Sequence, residues 1–182
     1  ALYERLAGIV RPETLVTTNT STLPARSFAG PFAVSPRFAY LHFLKPRTVV
    51  EVMPCAATAP GTIASLEKFA ISIGETPVTL NAESPGYLLG AIMGPATDAA
   101  LDLVARAVAN PETIDNAWKR VLGTAVGPLG TLDVVGLDTS LRIRQVRIVR
   151  DPEDRTLQNA VRVLEGLVSA GRLGVKSGSG FF

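Results

Sequence analysis

The chain has a single histidine, His42, and it lies in the apolar stretch FAYLHFLKPRTVVEVM at 38–53. A carboxylate, Glu51, follows in the equally apolar run VVEVM. If the two runs are neighbouring strands, the carboxylate can accept a hydrogen bond from the imidazole. That bond would fix the tautomer, raise the ring's basicity and leave the other nitrogen to take a proton. A plainer arrangement competes with it: a buried histidine bonded to a backbone carbonyl, with an unrelated surface glutamate. Residue types alone favour the plainer one. The setting of Glu51 pulls the other way, because an ionised group buried without a partner is strongly destabilising.

A second polar segment, NTSTL at 19–23, follows a β-branched run. Side chains at the C-terminal end of a parallel strand face the ligand crevice of an open α/β sheet. Asn19 and Ser21 are placed to donate hydrogen bonds there, although a polar turn capping the next helix is the simpler explanation. No G-x-S-x-G elbow surrounds Ser21, so a nucleophilic serine is not expected. The glycine-rich tail GRLGVKSGSGFF, 171–182, contains Lys176 but no G-x-G-x-x-G loop, and neither that loop nor a Walker A motif occurs elsewhere. One cysteine, Cys55, excludes an internal disulfide and a cysteine-rich zinc site; a small buried hydrophobe in a reducing cytosol is its expected role.

The elements that must carry these groups are legible from periodicity. TLVTT at 14–18, FAYLHFL at 38–44, VVEVM at 49–53 and PVTL at 77–80 read as strands. Between the last two, Ile63, Leu66, Phe69, Ala70 and Ile73 form one helical stripe. This alternation predicts an α/β sheet. After ESPG at 83–86 the pattern is helical. One face carries Ala99, Ala100, Leu103, Val104, Ala107 and Val108. A second helix starts at NPET, with Asn110 as cap and Pro111 in the first turn, and repeats Ile114, Ala117, Trp118, Val121 and Leu122 before Gly123. A short helix ends at Gly136, one spans about 139–150, and a last one runs over roughly 153–169. Apolar faces this wide, in a helical unit this small, predict burial against a partner.

With 47% apolar and 19% charged residues the chain has ample material for a core. The net charge of +2 is scattered, and the one basic cluster, RIRQVRIVR at 142–150, reads as the outer face of a helix rather than a nucleic-acid patch. No uninterrupted apolar run reaches about 18 residues, so no membrane span is expected. No signal-peptide pattern is seen either, and cytoplasmic placement is the expectation.

Taken in order, NTSTL, HFLKP, VVEVM, TPVTL, SPGYLLG, ETIDNAW, GPLGTLDVVGLDTS and GRLGVKSGSGFF resemble the 3-hydroxyacyl-CoA dehydrogenase family, including the 3-hydroxybutyryl-CoA dehydrogenases, over nearly the whole chain. The GPLGTLDVVGLD and GRLGVKSGSGF segments are the specific ones. The resemblance implies an α/β region followed by an all-α one. Residues 1–82 would be the C-terminal part of a Rossmann-type dinucleotide-binding domain, without its first strands and glycine-rich loop. Residues 83–182 would be an all-α substrate and dimerisation domain. The expectation is a piece of a longer enzyme of fatty acid metabolism, with NAD as cofactor, acyl-CoA as substrate and a homodimer as assembly. It implies NAD-dependent oxidation of (S)-3-hydroxyacyl-CoA to 3-oxoacyl-CoA. His42 would be the general base, Glu51 its orienting carboxylate and Ser21 the hydroxyl on the substrate oxygen. Asn19 and Lys176 would lie near the nicotinamide end of the cofactor. Three departures stand out. Gly90 and Ala91 replace a usual asparagine and arginine, Lys45 replaces a usual asparagine, and the loop between His42 and Glu51 is short. Two alternatives follow from them: a non-catalytic, truncated dimerising or acyl-CoA-binding remnant, or a related dehydrogenase of another 3-hydroxy acid.

Overall fold

The computed structural model describes residues 2–44 and 48–182. Backbone contacts divide the chain into two compact units, Ala1–Ala91 and Ile92–Phe182. The first holds helix α1 (Leu2–Ala7), strands β1 (Val16–Thr18), β2 (Phe38–Phe43), β3 (Val49–Pro54) and β4 (Thr76–Thr79), and helix α2 (Pro60–Ser72). Helix α3 (Tyr87–Ala105) begins in the first unit and continues in the second. Helices α4 (Pro111–Leu122), α5 (Pro128–Val135), α6 (Leu137–Ile148) and α7 (Arg155–Ser169) complete the chain, so an α/β region precedes an all-α one.

The four strands form one sheet in the order β1-β2-β3-β4. β1 and β2 run parallel, as do β3 and β4, while β2 and β3 are antiparallel. The sheet is therefore mixed. Side chains alternate between its faces. Phe38 and Tyr40 of β2 join Met53 of β3 in a cluster with Val16, Cys55 and Tyr87. Ala39 and Leu41 of β2 join Val50 and Val52 of β3 on the other face, under Leu66 and Ala70 of α2. His42 and Glu51 have the parity of Tyr40 and Met53, which puts them on the Tyr87 face. The stripe expected on α2 is only partly buried, since Phe69 and Ile73 each remain 48% exposed. The helix seats its Thr62–Leu66–Ala70 line, with Ile63 partly buried against the same cluster.

Several helical-region expectations need correction. The buried face of α3 runs through Thr97, Asp98, Ala100 and Leu101, whereas Val108 lies past the helix end and is exposed. The helix is 19 residues long and apolar enough to cross a membrane by length and composition alone, although no uninterrupted apolar run in the sequence predicts a span. Within the second unit Asp98 ties this helix to α6. Its carboxylate accepts from Arg144 Nε at 2.7 Å and Arg147 Nη1 at 2.7 Å. Arg144 also donates to Thr97 Oγ1 at 2.7 Å and to the Ser140 carbonyl at 3.1 Å. Arg144 thus belongs to the core, not to an outer basic face. Burial pushes its pKa down, while Asp98 opposes the shift.

On α4 the Asn110 cap accepts from the Thr113 amide at 2.8 Å, and Gly123 closes the helix at φ 67°. Val121 and Leu122 stay exposed, and the buried residue of this helix is Asp115. Its carboxylate accepts from the Leu129 and Gly130 amides, at 2.9 and 2.8 Å, capping α5. Asp133 plays the same part for the tail, accepting from Phe181 and Phe182 amides at 2.9 and 3.0 Å. A Cβ on Gly180 would sit 2.0 Å from Asp133 Oδ1, and one on Gly174 would sit 2.3 Å from the Asp133 carbonyl. Close packing against Asp133 therefore explains two of the tail glycines.

The buried network gives a stability test. Asp98→Ala strands the Arg144 charge in the core, and urea unfolding should show a loss of about 3–5 kcal/mol. A loss under about 1 kcal/mol, the range of exposed pairs, would mean that the pair contributes no more than a surface bridge.

Candidate active site

The antiparallel register pairs His42 directly with Glu51 across β2 and β3. Cross-strand partners share a face with their Cβ atoms in reach of each other, and His42 Nδ1 lies 2.9 Å from Glu51 Oε2. The glutamate side chain is 1% exposed and the histidine side chain 14%. An ionised carboxylate only accepts hydrogen bonds, so Nδ1 carries the hydrogen and donates. In the neutral imidazole the remaining ring nitrogen, Nε2, then presents its lone pair, and Ser21 Oγ lies 3.0 Å from it. Ser21 is exposed, so this end of the chain of hydrogen bonds opens to solvent.

The other carboxylate oxygen is equally well held. Glu51 Oε1 accepts from the Leu88 and Leu89 amides, each at 3.0 Å. These belong to the first turn of α3, where unpaired N–H groups and the helix dipole favour a negative charge. The turn that delivers them is sharp: Gly86 and Tyr87 both have left-handed backbones, φ 83° and 56°. For an aromatic residue that conformation costs about 1–3 kcal/mol. The Tyr87 ring stacks on the imidazole, with centroids 4.4 Å apart and planes 17° from parallel, and its hydroxyl donates to the Thr20 carbonyl. Burial pushes the Tyr87 pKa up, with the Glu51 charge adding to the shift, which keeps the phenol protonated and a donor.

Beside this lies a cleft with Ser21, Leu23, Tyr40, Met53, Glu83 and Tyr87 in its walls. Tyr40 donates to Glu83 Oε1 at 2.6 Å. Burial, with Glu83 next in weight, raises the Tyr40 pKa. Cys55 is buried and its thiol is pushed up to about 11, chiefly by burial, so it sits as a neutral thiol. Among the described residues no cluster of His, Cys, Asp and Glu is arranged to hold a metal.

Sequence reasoning singled out five residues. Ser21, His42 and Glu51 come together as one hydrogen-bonded line. Asn19 lies just past β1, exposed, and its Oδ1 accepts from the Phe43 amide at 2.9 Å, which ties the end of β1 to the end of β2. Lys176 is in the second unit, paired with Asp138. Lys45 lies outside the described residues. A Cβ on Gly90 would meet nothing within 4 Å, so the position is open. Sequence reasoning missed Tyr87 and the Leu88 and Leu89 amides. The SPGYLLG segment signals a turn into a helix, but nothing local announces that it wraps the His–Glu pair.

The NAD-binding domain profile of the 3-hydroxyacyl-CoA dehydrogenases matches residues 1–83, and the C-terminal domain profile of the same family matches residues 86–182. A probable 3-hydroxybutyryl-CoA dehydrogenase of Deinococcus radiodurans is 33% identical over all of this chain and 65% of its own length. Among solved structures, a diketoreductase that acts on dicarbonyl compounds superposes with a TM-score of 0.86 at 31% identity, over the whole chain and 63% of its own. The (S)-3-hydroxybutyryl-CoA dehydrogenase of Ralstonia eutropha gives 0.85 at 29% identity, covering this chain fully and 64% of that one. The chain thus spans under two thirds of the length of these relatives. With both of its parts matched in order, the chain belongs to the 3-hydroxyacyl-CoA dehydrogenase family.

Proposed function

We propose that this protein oxidises (S)-3-hydroxyacyl-CoA to 3-oxoacyl-CoA with NAD. The observation that carries the reading is the continuous line Ser21 Oγ, His42 Nε2, His42 Nδ1, Glu51 Oε2, open to solvent at the serine and anchored at a buried carboxylate. A secondary alcohol entering at Ser21 meets a hydroxyl that can donate to its oxygen. It also meets an unprotonated nitrogen that can take its proton. As the C3–H bond breaks, the O–H electron pair forms the carbonyl and the proton moves to Nε2. The resulting imidazolium is stabilised by Glu51, whose charge stays fixed by the two α3 amides.

NAD supplies the hydride acceptor when bound. The fit of the residues present is limited to its nicotinamide end, where the exposed Asn19 and Ser21 follow β1. This chain carries no glycine-rich pyrophosphate loop. Lys176 is a less apt cofactor contact, because Asp138 already engages its ammonium. On this reading residues 1–82 serve the cofactor and residues 83–182 serve the substrate and a homodimer. The exposed Val121 and Leu122 of α4 support such an interface.

A second reading, a related dehydrogenase of another 3-hydroxy compound, is favoured by the open Gly90 and by the likeness to a diketoreductase. Comparing the full-length protein's kcat/KM on 3-hydroxybutyryl-CoA with that on a free 3-hydroxy acid or a 1,3-dicarbonyl decides between the two. A clear preference for the thioester supports the first.

Three outcomes are expected of the full-length enzyme. His42→Gln lowers kcat by about 10²–10⁴, followed by NADH absorbance, and undiminished turnover would end the proposal. Glu51→Gln still accepts from the α3 amides but cannot charge-stabilise the imidazolium, so kcat falls by about tenfold to a hundredfold while KM for NAD is held. Sedimentation equilibrium returns a dimer, and a monomer at assay concentrations would remove the assembly from the reading.

A further inference from the structure

Tyr87 grips the site from two sides. Its ring lies over the imidazole face at a 4.4 Å centroid distance, nearly parallel. Its hydroxyl bonds the carbonyl of Thr20, the residue immediately before Ser21. Its own position is set by an edge-on contact with Tyr40, at 5.7 Å and 89°, and by the amides of Leu88 and Leu89, which follow it in sequence and hold Glu51. A hydrogen bond from Nδ1 to Glu51 fixes the direction of one ring bond but leaves the ring free to tilt about it. A plane stacked against the ring removes that freedom. The hydroxyl acts on the other partner, the exposed Ser21 loop, beside the Phe43 amide on Asn19 Oδ1 at 2.9 Å, the Leu23 amide on Thr20 Oγ1 at 3.3 Å and the Tyr40 hydroxyl 3.5 Å from the Leu23 carbonyl; of these anchors it alone holds the Thr20 carbonyl, next to Ser21.

We propose that Tyr87 is a positioning residue for the dehydrogenation. Its ring sets the plane of His42, and its hydroxyl sets the distance of Ser21 from Nε2. An ordinary core aromatic would need neither the parallel approach to an ionisable ring nor a left-handed backbone, φ 56°. The inference rests on the catalytic reading above, and its test separates the two.

The test uses the full-length enzyme with Tyr87→Leu, which removes both contacts, and Tyr87→Phe, which keeps the ring and removes the hydroxyl. Circular dichroism and thermal melts establish the folded fraction of each. Tyr87→Leu should lower kcat about tenfold to a hundredfold, the cost of a misplaced reacting group, with KM for NAD unchanged. Tyr87→Phe should restore kcat to within about threefold of wild type and raise KM for the 3-hydroxyacyl-CoA by about threefold to tenfold. Proton NMR gives a readout independent of turnover. The His42 ring signals, assigned by their loss in His42→Gln, should be shifted upfield by the stacked ring in wild type and Tyr87→Phe, and not in Tyr87→Leu. If Tyr87→Leu does not fold, the KM and NMR results on Tyr87→Phe decide. Folded Tyr87→Leu with kcat within twofold of wild type, Tyr87→Phe with unchanged KM, or His42 signals without the upfield shift in wild type would overturn the proposal. A wild-type enzyme inert towards every 3-hydroxyacyl-CoA, yet showing the shift, would instead refute the catalytic reading.

Discussion

The site depends on keeping one negative charge, that of Glu51, in an apolar sheet. A carboxylate at 1% exposure is tolerable only where each oxygen has partners. Oε2 takes the imidazole hydrogen, and Oε1 takes two amides at the start of α3. The consequences run outward from there. The carboxylate dictates the histidine tautomer, the tautomer leaves Nε2 with a lone pair, and the lone pair faces Ser21. Each step follows, for the neutral imidazole, from a carboxylate that can only accept.

The same device recurs in the helical unit. Asp115 caps α5, Asp133 holds the tail amides and Asp98 ties two arginines. Three buried aspartates are thus compensated by backbone amides or guanidinium groups. Polar contacts of this sort demand geometry as well as proximity, and they set how the helices pack more tightly than apolar surface does. The tail glycines follow, since a side chain at 174 or 180 would occupy the space of Asp133. In the sequence these glycines invite comparison with a phosphate loop. In the structure they are close-packing positions.

Where the chain departs from its family's usual residues, the open ground is at Gly90. The hydrogen-bonded line is complete without it. A side chain at that position would have room, so the substitution leaves the base and its carboxylate as they are.

The candidate groups of the site were legible because the relevant patterns are local, but residue types alone favoured a plain core histidine and a capping turn, and the family resemblance was what joined Ser21, His42 and Glu51. Alternating apolar runs marked β2 and β3, the short connection between them made pairing plausible, and a glutamate in an apolar strand announced its need for a partner. Asn110 and Gly123 bounded α4 by capping chemistry that any reader of the chain can apply. Other features had no local trace. Arg144 sat in a run of arginines that reads as a solvated face, and only packing against Asp98, 46 residues away, made it a core residue. The stack of Tyr87 on His42 and the amides beneath Glu51 were likewise decided by tertiary structure, because backbone donors have no residue type and an aromatic ring's plane is set by what surrounds it. Side-chain identity and periodicity determined which chemistry was available. Only the fold determined which groups meet, since meeting depends on distances between segments that the order of residues does not encode locally.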